Sequence, residues 1–580
     1  MLLSALLIAG VLSGSPETAP AQDLVHHWSQ GFGDVSNDAA RAIAIDPSGN
    51  IIAAGAIQGT VDFGGGPLTS AGAEDAYVVQ FDPGGNHRWS RRFGDSMLDW
   101  TADVAVDTDG NVVATGSFLG TADFGGDPLT SDGQWDMFLV RYTPDGQHLW
   151  SQRFGDSAIQ SGYGVACGPS GDIVVTGRFS GAIDFGGGSL ESQGPYDIFV
   201  VLFDSSGTHQ WSRRFGDVYD ISHDESGSSI AFDPAGNILV TGSFVSSVDF
   251  GGGPLTSPGQ DLFLAKLSST GDHLWSMAFG AYPGRGEHSN VSASGPDSPP
   301  HARYPVSEWS AVAVDQWGNV HVSGFFIGAV DFGGGPLSSN GSQDVFLAKL
   351  DGNGNYLWSA SYGGANYDRG WDIAVNSDDA IAITGEFLQT IDFGGGPITV
   401  VGGSDIFIAS FDSNGNHLTS RGFGSAMNDI GYCIAAGGSG STAGAGSFSS
   451  TIDFGGAPLT SVGLTDIYVA SFELSSNGIE NAATPPMLAD LYRASPNPLT
   501  AWTRIRYRIE RAEFVSLVIL DVQGRHVRKL VDGMQAPRAW GFDVVWDGTD
   551  DAGRPMSSGV YFYRLEIGDR SLARKLVMVR

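Results

Sequence analysis

The tetrad Asp-Phe-Gly-Gly begins at Asp62, Asp123, Asp184, Asp249, Asp331, Asp392 and Asp453, at intervals of 61, 61, 65, 82, 61 and 61 residues. Seven copies with four equal intervals define a tandem repeat, and a unit of this length buries its apolar faces only against its neighbours. In the first copy, strand-like runs at 40–46, 50–57, 76–82 and 87–93 are separated by Asp46-Pro-Ser-Gly-Asn50 and Asp82-Pro-Gly-Gly-Asn86. Pro presets φ in such turns, Gly supplies positive φ, and Asp or Asn bonds nearby backbone. Four antiparallel strands per repeat make the blade of a propeller. The expected fold is therefore all-β: a seven-bladed β-propeller, followed over residues 490–580, where several short alternating strands recur, by a small β-sandwich.

The outermost type of strand carries Trp28, Trp89, Trp150, Trp211, Trp275 and Trp358, with Thr419 as the divergent copy. Four residues later come Phe32, Phe93, Phe154, Phe215, Phe279, Tyr362 and Phe423. A spacing of four keeps both side chains on one strand face. The first of these strands precedes the first complete repeat and the last repeat lacks one, so an N-terminal strand is expected to complete the final blade and remove the open edges. The alternative, in which this strand begins each blade, also gives seven blades but no interlock. The extra four residues of the fourth interval and the extra 21 of the fifth both fall between the Trp strand and the next inner strand. That connection is expected on the same face as the tetrad loops, and insertions concentrate where loops carry function.

The charge is uneven. Residues 486–580 hold 15 Lys+Arg and 11 Asp+Glu, a balance of +4. The rest of the chain, with net −34 overall, holds 15 basic and 53 acidic residues, a balance of −38. Such an acidic body repels phosphate backbones, so no nucleic-acid partner is expected. The run Met1-Leu-Leu-Ser-Ala-Leu-Leu-Ile-Ala-Gly-Val-Leu, followed by Ala19-Pro20-Ala21, reads as a signal peptide over 1–21. No transmembrane segment is expected in the mature chain. Cys167 and Cys433, the only cysteines, exclude a disulfide framework and a cysteine-based zinc site, and read as buried small apolar residues.

The repeated Ala-x-Asp-x-x-Gly-Asn, Asp-Phe-Gly-Gly-Gly-Pro-Leu-Thr-Ser and Asp-x-Phe pattern over 26–475 resembles the bacterial SBBP-type β-propeller repeats. The resemblance implies a surface or secreted protein and transfers little chemistry. After a linker at 476–489, residues 490–580 carry Ser-Pro-Asn-Pro498, Trp546-Asp-Gly-Thr-Asp-Asp-Ala-Gly553, Ser558-Gly-Val-Tyr-Phe562 and a basic last strand. This stretch resembles the FlgD-type immunoglobulin-like domain and the C-terminal sorting domains of type IX secretion. It implies a domain order of signal peptide 1–21, propeller 22–475, linker, and sorting domain 490–580. It also implies secretion machinery as a partner and a location outside, or on the surface of, a bacterium. Arg504, Arg506 and Arg508 alternate along one strand. With Arg574 and Lys575 they are the candidate sorting residues, against the plainer reading of a solvated sheet face.

Chemistry is sparse. Seven tetrad Asp residues and seven more before the next strand (Asp75, Asp136, Asp197, Asp261, Asp344, Asp405, Asp466) offer oxygen ligands, with Asp62, Asp75, Asp123 and Asp136 as candidates for calcium. Repetition in every copy favours backbone capping instead, and no cofactor is expected. Asp351-Gly-Asn-Gly-Asn355 and Asp412-Ser-Asn-Gly-Asn416 read as turns rather than calcium loops. His26, His87, His148, His209, His273 and His417 share one repeat position with Tyr356 and are too dispersed to converge on a metal. No nucleophile elbow, helical zinc motif or phosphate loop is present.

The insertion around 281–308 supplies Tyr282, Arg285, His288, His301, Arg303 and Tyr304, and neighbouring loops supply Trp100, Tyr219, His223, Tyr367 and Arg369. Arginine and aromatic residues on exposed loops suit recognition. The expected function is a secreted or cell-surface, non-enzymatic binding, adhesion or structural scaffold for a glycan, cell-envelope or protein ligand. A polysaccharide-active enzyme using Asp224 and Glu225 and a calcium-stabilised adhesin are the alternatives.

Overall fold

A computed structural model of the chain describes residues 22–217, 225–280 and 310–476. Beyond these it describes 489–491, 494, 497, 499, 500, 502–509, 513–522, 525–536, 542–567 and 570–579. The expected leader, the 281–308 insertion and residues 477–488 of the linker lie outside the described residues. The chain divides into two compact units, Met1–Asn477 and Gly478–Arg580.

The first unit is all-β, its only described helical turn being the short 3₁₀ segment Gly438–Gly440. Among its described residues are seven four-stranded antiparallel sheets. The first is built from Ala39–Ile45, Ile51–Ile57, Asp75–Phe81 and His87–Phe93 in that order. Five more follow with the same order, and the seventh joins Ile430–Ala436, Ser441–Phe448 and Asp466–Ser476 to a fourth strand from the far end of the chain, Gln22–Phe32. That strand runs antiparallel with Phe32 opposite Ile467 and His26 opposite Phe472. The innermost strand of each sheet packs on that of the next, and Ile430–Ala436 packs on Ala39–Ile45, a propeller-like arrangement.

The second and third strands are buried along their whole length in the first sheet, because they are covered on both faces by neighbouring sheets. One core cluster accordingly mixes Tyr77 and Val79 of the first sheet with Ala443 and Ile467 of the seventh. A fully buried side chain of the size of Val79 or Ile467 contributes about 1.5–3 kcal/mol.

The tetrad phenylalanine stands at the junction between sheets. Phe63 packs on Phe32 (5.0 Å between ring centroids), Phe124 on Phe93 (4.9 Å), Phe393 on Tyr362 (5.1 Å) and Phe454 on Phe423 (5.0 Å). Phe185, Phe250 and Phe332 repeat the contact with Phe154, Phe215 and Phe279.

The tetrad loops leave the sheets at the insertion-bearing end, where the N–H of Thr60 donates to Asp34 Oδ2 (2.7 Å), but the tetrad itself is carried away from that face. It tips a small hairpin, Thr60–Asp62 with Pro67–Thr69 in the first sheet, that folds back to the start of the outermost strand. There the His87 ring occupies the space a Cβ on Gly65 would need, and His148, His209, His273, His417 and His26 do the same at Gly126, Gly187, Gly252, Gly395 and Gly456. The hairpin flanks a strand that would otherwise be a bare edge.

The second unit has a three-stranded sheet, Ala489–Leu491, Thr503–Ile509 and Phe542–Trp546, and a four-stranded sheet of His526–Gln535, Glu513–Asp521, Gly559–Ile567 and Arg570–Met578. Ile505, Tyr507 and Trp546 of one and Leu517, Tyr563 and Leu576 of the other share one core.

Candidate functional site

The repeated polar residues are consumed by architecture. Asp62 Oδ1 accepts the backbone N–H groups of Gly64 (2.8 Å) and Gly66 (3.0 Å), and Asp123 accepts that of Gly125 (2.8 Å). Asp75 and Asp136 are buried, accept from the N–H of Ala71 and Asp132 (3.0 Å each), and pair with Arg92 and Arg153. Among the described residues no group of three or more His, Cys, Asp or Glu is placed to hold a metal. Each repeated histidine meets a serine three residues on, as His87 Nε2 meets Ser90 Oγ at 3.0 Å. Asp351 and Asp412 close hairpin turns by accepting the N–H of Asn355 and Asn416 at 2.9 Å.

A second carboxyl position opens the innermost strands. Asp99 accepts the N–H groups of Leu119 (3.0 Å) and Asp95 (3.2 Å), and burial pushes its carboxyl up to about 7. Asp38 rises to about 7, Asp368 and Asp429 to about 6, for the same first cause. Glu225 lies buried in the corresponding place, pushed up to about 9 by burial with Asp197 and Asp217 nearby. Its position is that of a junction cap repeated around the unit. Asp224 lies outside the described residues.

What differs from sheet to sheet gathers at the insertion-bearing ends of the innermost strands. Six of the seven carry a β-bulge there, at Arg41, Ala102, Tyr163, Ser228, Trp371 and Tyr432. A bulge leaves one residue outside the ladder and re-aims its side chain. Just past it, Asp103 Oδ2 accepts the N–H of Val165 in the next sheet, and Asp372 Oδ2 that of Ile434, both at 2.8 Å.

Two aromatic–arginine groups result. In the third sheet the Arg178 guanidinium lies 4.3 Å from the Tyr196 ring centroid and 5.7 Å from that of Tyr163. Across the fifth to seventh sheets, Trp371 lies 5.8 Å from Phe325 and 6.0 Å from Tyr432, centroid to centroid. Arg369 sits over Tyr367 (4.5 Å) and Phe325 (5.8 Å), while its Nε donates to Gln343 Oε1 (2.6 Å) and Nη1 to Glu386 Oε1 (3.0 Å). Gln343 and Glu386 are buried, whereas Phe325, Tyr367, Arg369, Trp371 and Tyr432 keep partial exposure.

Of the residues expected on the contact face, the structure joins Tyr367 and Arg369 in this group. Trp100 is only 7% exposed and packs edge-on against Trp135 at 4.4 Å, so its ring is a packing element. Tyr219, His223, Tyr282, Arg285, His288, His301, Arg303 and Tyr304 lie outside the described residues. Sequence reading missed Tyr163, Arg178, Phe325, Trp371, Glu386 and Tyr432. Their one signal was that they stand at positions that vary from copy to copy or, as with Arg178, Phe325 and Glu386, replace the serine of Ser117, Ser243 and Ser447.

At the opposite ends of the innermost strands lies a cavity of about 340 Å³ lined by Asp107, Cys167, Phe232, Asp233, Asp315 and Gln316 among others. Its acids are already paired: Asp107 with Arg141, Asp233 with Lys266 and Asp315 with Lys349. Cys433 is buried as expected, but Cys167 is only half-buried at this cavity, its thiol pushed up to about 12 by burial. In the second unit Arg504 and Arg506 are exposed, and Arg506 is held by Asp543 (2.8 and 3.0 Å). Arg574 and Lys575 are exposed on the last strand, and the side chain of Arg508 lies outside the described set.

Residues 210–243 match the family model of the SBBP β-propeller repeat, which with the repeated four-stranded sheets supports a β-propeller repeat protein. Among curated proteins it is similar to an uncharacterized WD repeat-containing protein, L264, of Acanthamoeba polyphaga mimivirus, at 23% identity over 473 residues, 67% of this chain and 34% of that protein. It is also similar to the regulatory protein FlaEY of Caulobacter vibrioides, at 26% identity over 202 residues, 34% of this chain and 20% of that protein. The chain thus spans about a third and a fifth of the length of these relatives.

Among solved structures, a fungal alcohol oxidase of the AA5 family in complex with copper aligns at 10% identity and TM-score 0.39, covering 97% of this chain and 100% of that one. PorZ of the type IX secretion system of Porphyromonas gingivalis aligns at 10% identity and TM-score 0.21, covering 95% and 100%. With scores below 0.5, neither likeness bears on activity.

Proposed function

We propose that this chain is an exported, non-enzymatic, seven-bladed β-propeller that binds a ligand at the insertion-bearing mouth of its axis and is delivered by an immunoglobulin-like C-terminal sorting domain. One observation carries the reading. The residues repeated in every sheet are occupied in capping, packing and ring closure, while the residues that break the repeat (Arg178, Phe325, Arg369, Trp371, Glu386, Tyr432) form the two aromatic–arginine groups. Partly exposed aromatic and arginine side chains on a rigid scaffold are the usual source of binding energy. The insertion at 281–308 leaves from the same face. Export is supported by the leader-like first 21 residues, and delivery by the resemblance of 490–580 to sorting domains.

The test is a binding assay of fluorescently labelled mature chain on bacterial envelope fractions and immobilised glycans. It is run alongside a double Arg369→Ala, Trp371→Ala variant and a chain with 281–308 replaced by a Gly-Ser linker. Saturable binding lost in the double variant is expected. Binding indifferent to both changes, or none to any surface, would overturn the reading.

A further inference from the structure

We infer that three seams of the propeller, between the fifth and sixth, sixth and seventh, and seventh and first sheets, are closed by pairs of carboxyl groups that share one proton. Losing that proton as pH rises loosens the ring at these seams.

The main chain brings each pair together. The N–H of Asp368 donates to the carbonyl of Gln343 (2.7 Å), that of Asp429 to Ser404 (2.8 Å) and that of Asp38 to Thr465 (2.9 Å). Each acceptor stands just before the aspartate that opens the third strand of its sheet, Asp344, Asp405 or Asp466. A backbone bond across the seam thus sets two carboxyls side by side. All six residues are at most 2% exposed. Oδ1 of Asp344, Asp405 and Asp466 is buried and finds no hydrogen-bond partner among the described residues. Two like charges so placed out of water do not both ionise. The vacant oxygen supplies the acceptor that a shared proton needs.

The earlier seams are built differently. Arg92, Arg153 and Arg214 pair with Asp75, Asp136 and Asp197, each from the position just before the repeated aromatic. Ser361, Gly422 and Gly31 stand at that position in the fifth, sixth and seventh sheets, so the countercharge is gone. Between the second and third sheets the second carboxyl is itself replaced: Gln160 makes the same backbone bond, to the carbonyl of Trp135 (2.8 Å). A neutral side chain is therefore sufficient at this place in the fold. The groups that face the three pairs add no positive charge. Glu386 and Tyr367 face Asp368, Tyr468 faces Asp429, and Asp34 faces Asp38 and Asp466. Arg369, next in the chain to Asp368, is held by Glu386.

The direction of the pH effect follows. Burial first, and then the neighbouring carboxyls, push Asp38 up to about 7 and Asp368 and Asp429 up to about 6, from an ordinary 3.8. The closed seam keeps protons that an opened one gives up. Their contribution to stability is complete in acid and is lost as pH rises from about 4 to about 7.

The experiment is native-state hydrogen exchange of the mature chain at about pH 5 and about pH 8, with each amide corrected for its intrinsic rate. The N–H groups of Asp38, Asp368 and Asp429 report the three seams, and that of Gln160 reports a seam without the second carboxyl. Between the two conditions the three are expected to lose about tenfold or more in protection relative to Gln160. Asp38→Asn, Asp368→Asn and Asp429→Asn together copy the neutral side chain of Gln160 and are expected to abolish that loss. If the triple variant does not fold, Asp429→Asn alone should abolish it at its own seam and leave it at the other two. Protection that changes equally at Gln160 and at the three aspartates, or a loss that persists in the asparagine variants, would overturn the inference.

Discussion

The indole Nε1 of Trp28 donates a 2.9 Å hydrogen bond to the carbonyl oxygen of Pro83, and its ring lies over Gly85. Trp28 belongs to the strand that completes the seventh sheet, and Pro83 to a hairpin of the first. The same latch joins Trp89 to Pro144, Trp150 to Ser205, Trp211 to Ser269, Trp275 to Gly352 and Trp358 to Ser413. Thr419, the one divergent copy, faces the seventh sheet, whose outer strand comes from the other end of the chain. Among the described residues no hairpin joins the third and fourth strands there, since they come from opposite ends of the chain. Trp28→Phe is therefore expected to cost about 1 kcal/mol, as is Trp211→Phe, each seen as a lowered Tm. Deleting residues 22–32 uncovers the edge of Asp466–Ser476 and is expected to yield aggregates by size-exclusion chromatography. A monodisperse deletion variant of parental Tm would contradict this.

Gly65 and Gly66 are neighbours with different reasons to be glycine. A Cβ on Gly65 would collide with the His87 ring, whereas Gly66 has open space around it but φ +105°. Gly65→Ala and Gly66→Ala are each expected to destabilise by roughly 1–3 kcal/mol. Only the first should be relieved by His87→Ser in a double-mutant cycle. A coupling at Gly66 equal to that at Gly65 would mean the steric account is wrong.

These pairings mark the limit of sequence reading. The tetrad spacing, the hairpin chemistry and the unmatched Trp28 strand made the four-stranded repeat and the chain-end exchange legible, because those are local or countable. That Phe63 meets Phe32, or Gly65 meets His87, was not legible, since the tetrad hairpin folds back over an edge by tertiary packing. The candidate site was harder still. Trp371 and Tyr432 sit at bulges that no local signal announces, and they matter because they depart from the repeat rather than follow it. Trp100 departs from it too, yet lies buried against Trp135.

Lys349 Nζ lies 3.1 Å from Asp315 Oδ2, with both residues almost fully buried and His321 Nε2 3.3 Å from the same oxygen. Lys349→Met leaves the buried carboxylate with only neutral partners and is expected to cost about 3–5 kcal/mol in urea unfolding. Adding Asp315→Asn should recover most of that loss. Equal instability of the single and double variants would show that the lysine acts through packing alone.

Asp103 and Asp372 provide a pH readout of the innermost strands. Burial pushes both carboxyls up to about 7, and Asp103 also feels Asp372. The folded state thus holds protons that the unfolded chain releases above its ordinary carboxylate range near 3.8. The stability these groups contribute is present at low pH and is lost as pH rises toward 7. The histidines run the other way: burial lowers His26, His87, His148, His209 and His417, so they lose stability as pH falls below about 6.5. The sum over all groups is therefore uninformative, but a difference is not. Asn at both positions keeps a carbonyl oxygen for the N–H groups of Val165 and Ile434 and has no proton to lose. The Tm of Asp103→Asn, Asp372→Asn minus that of the parent is expected to rise from about pH 5 to about pH 8. A difference that stays level over that range would mean that neither carboxyl titrates there.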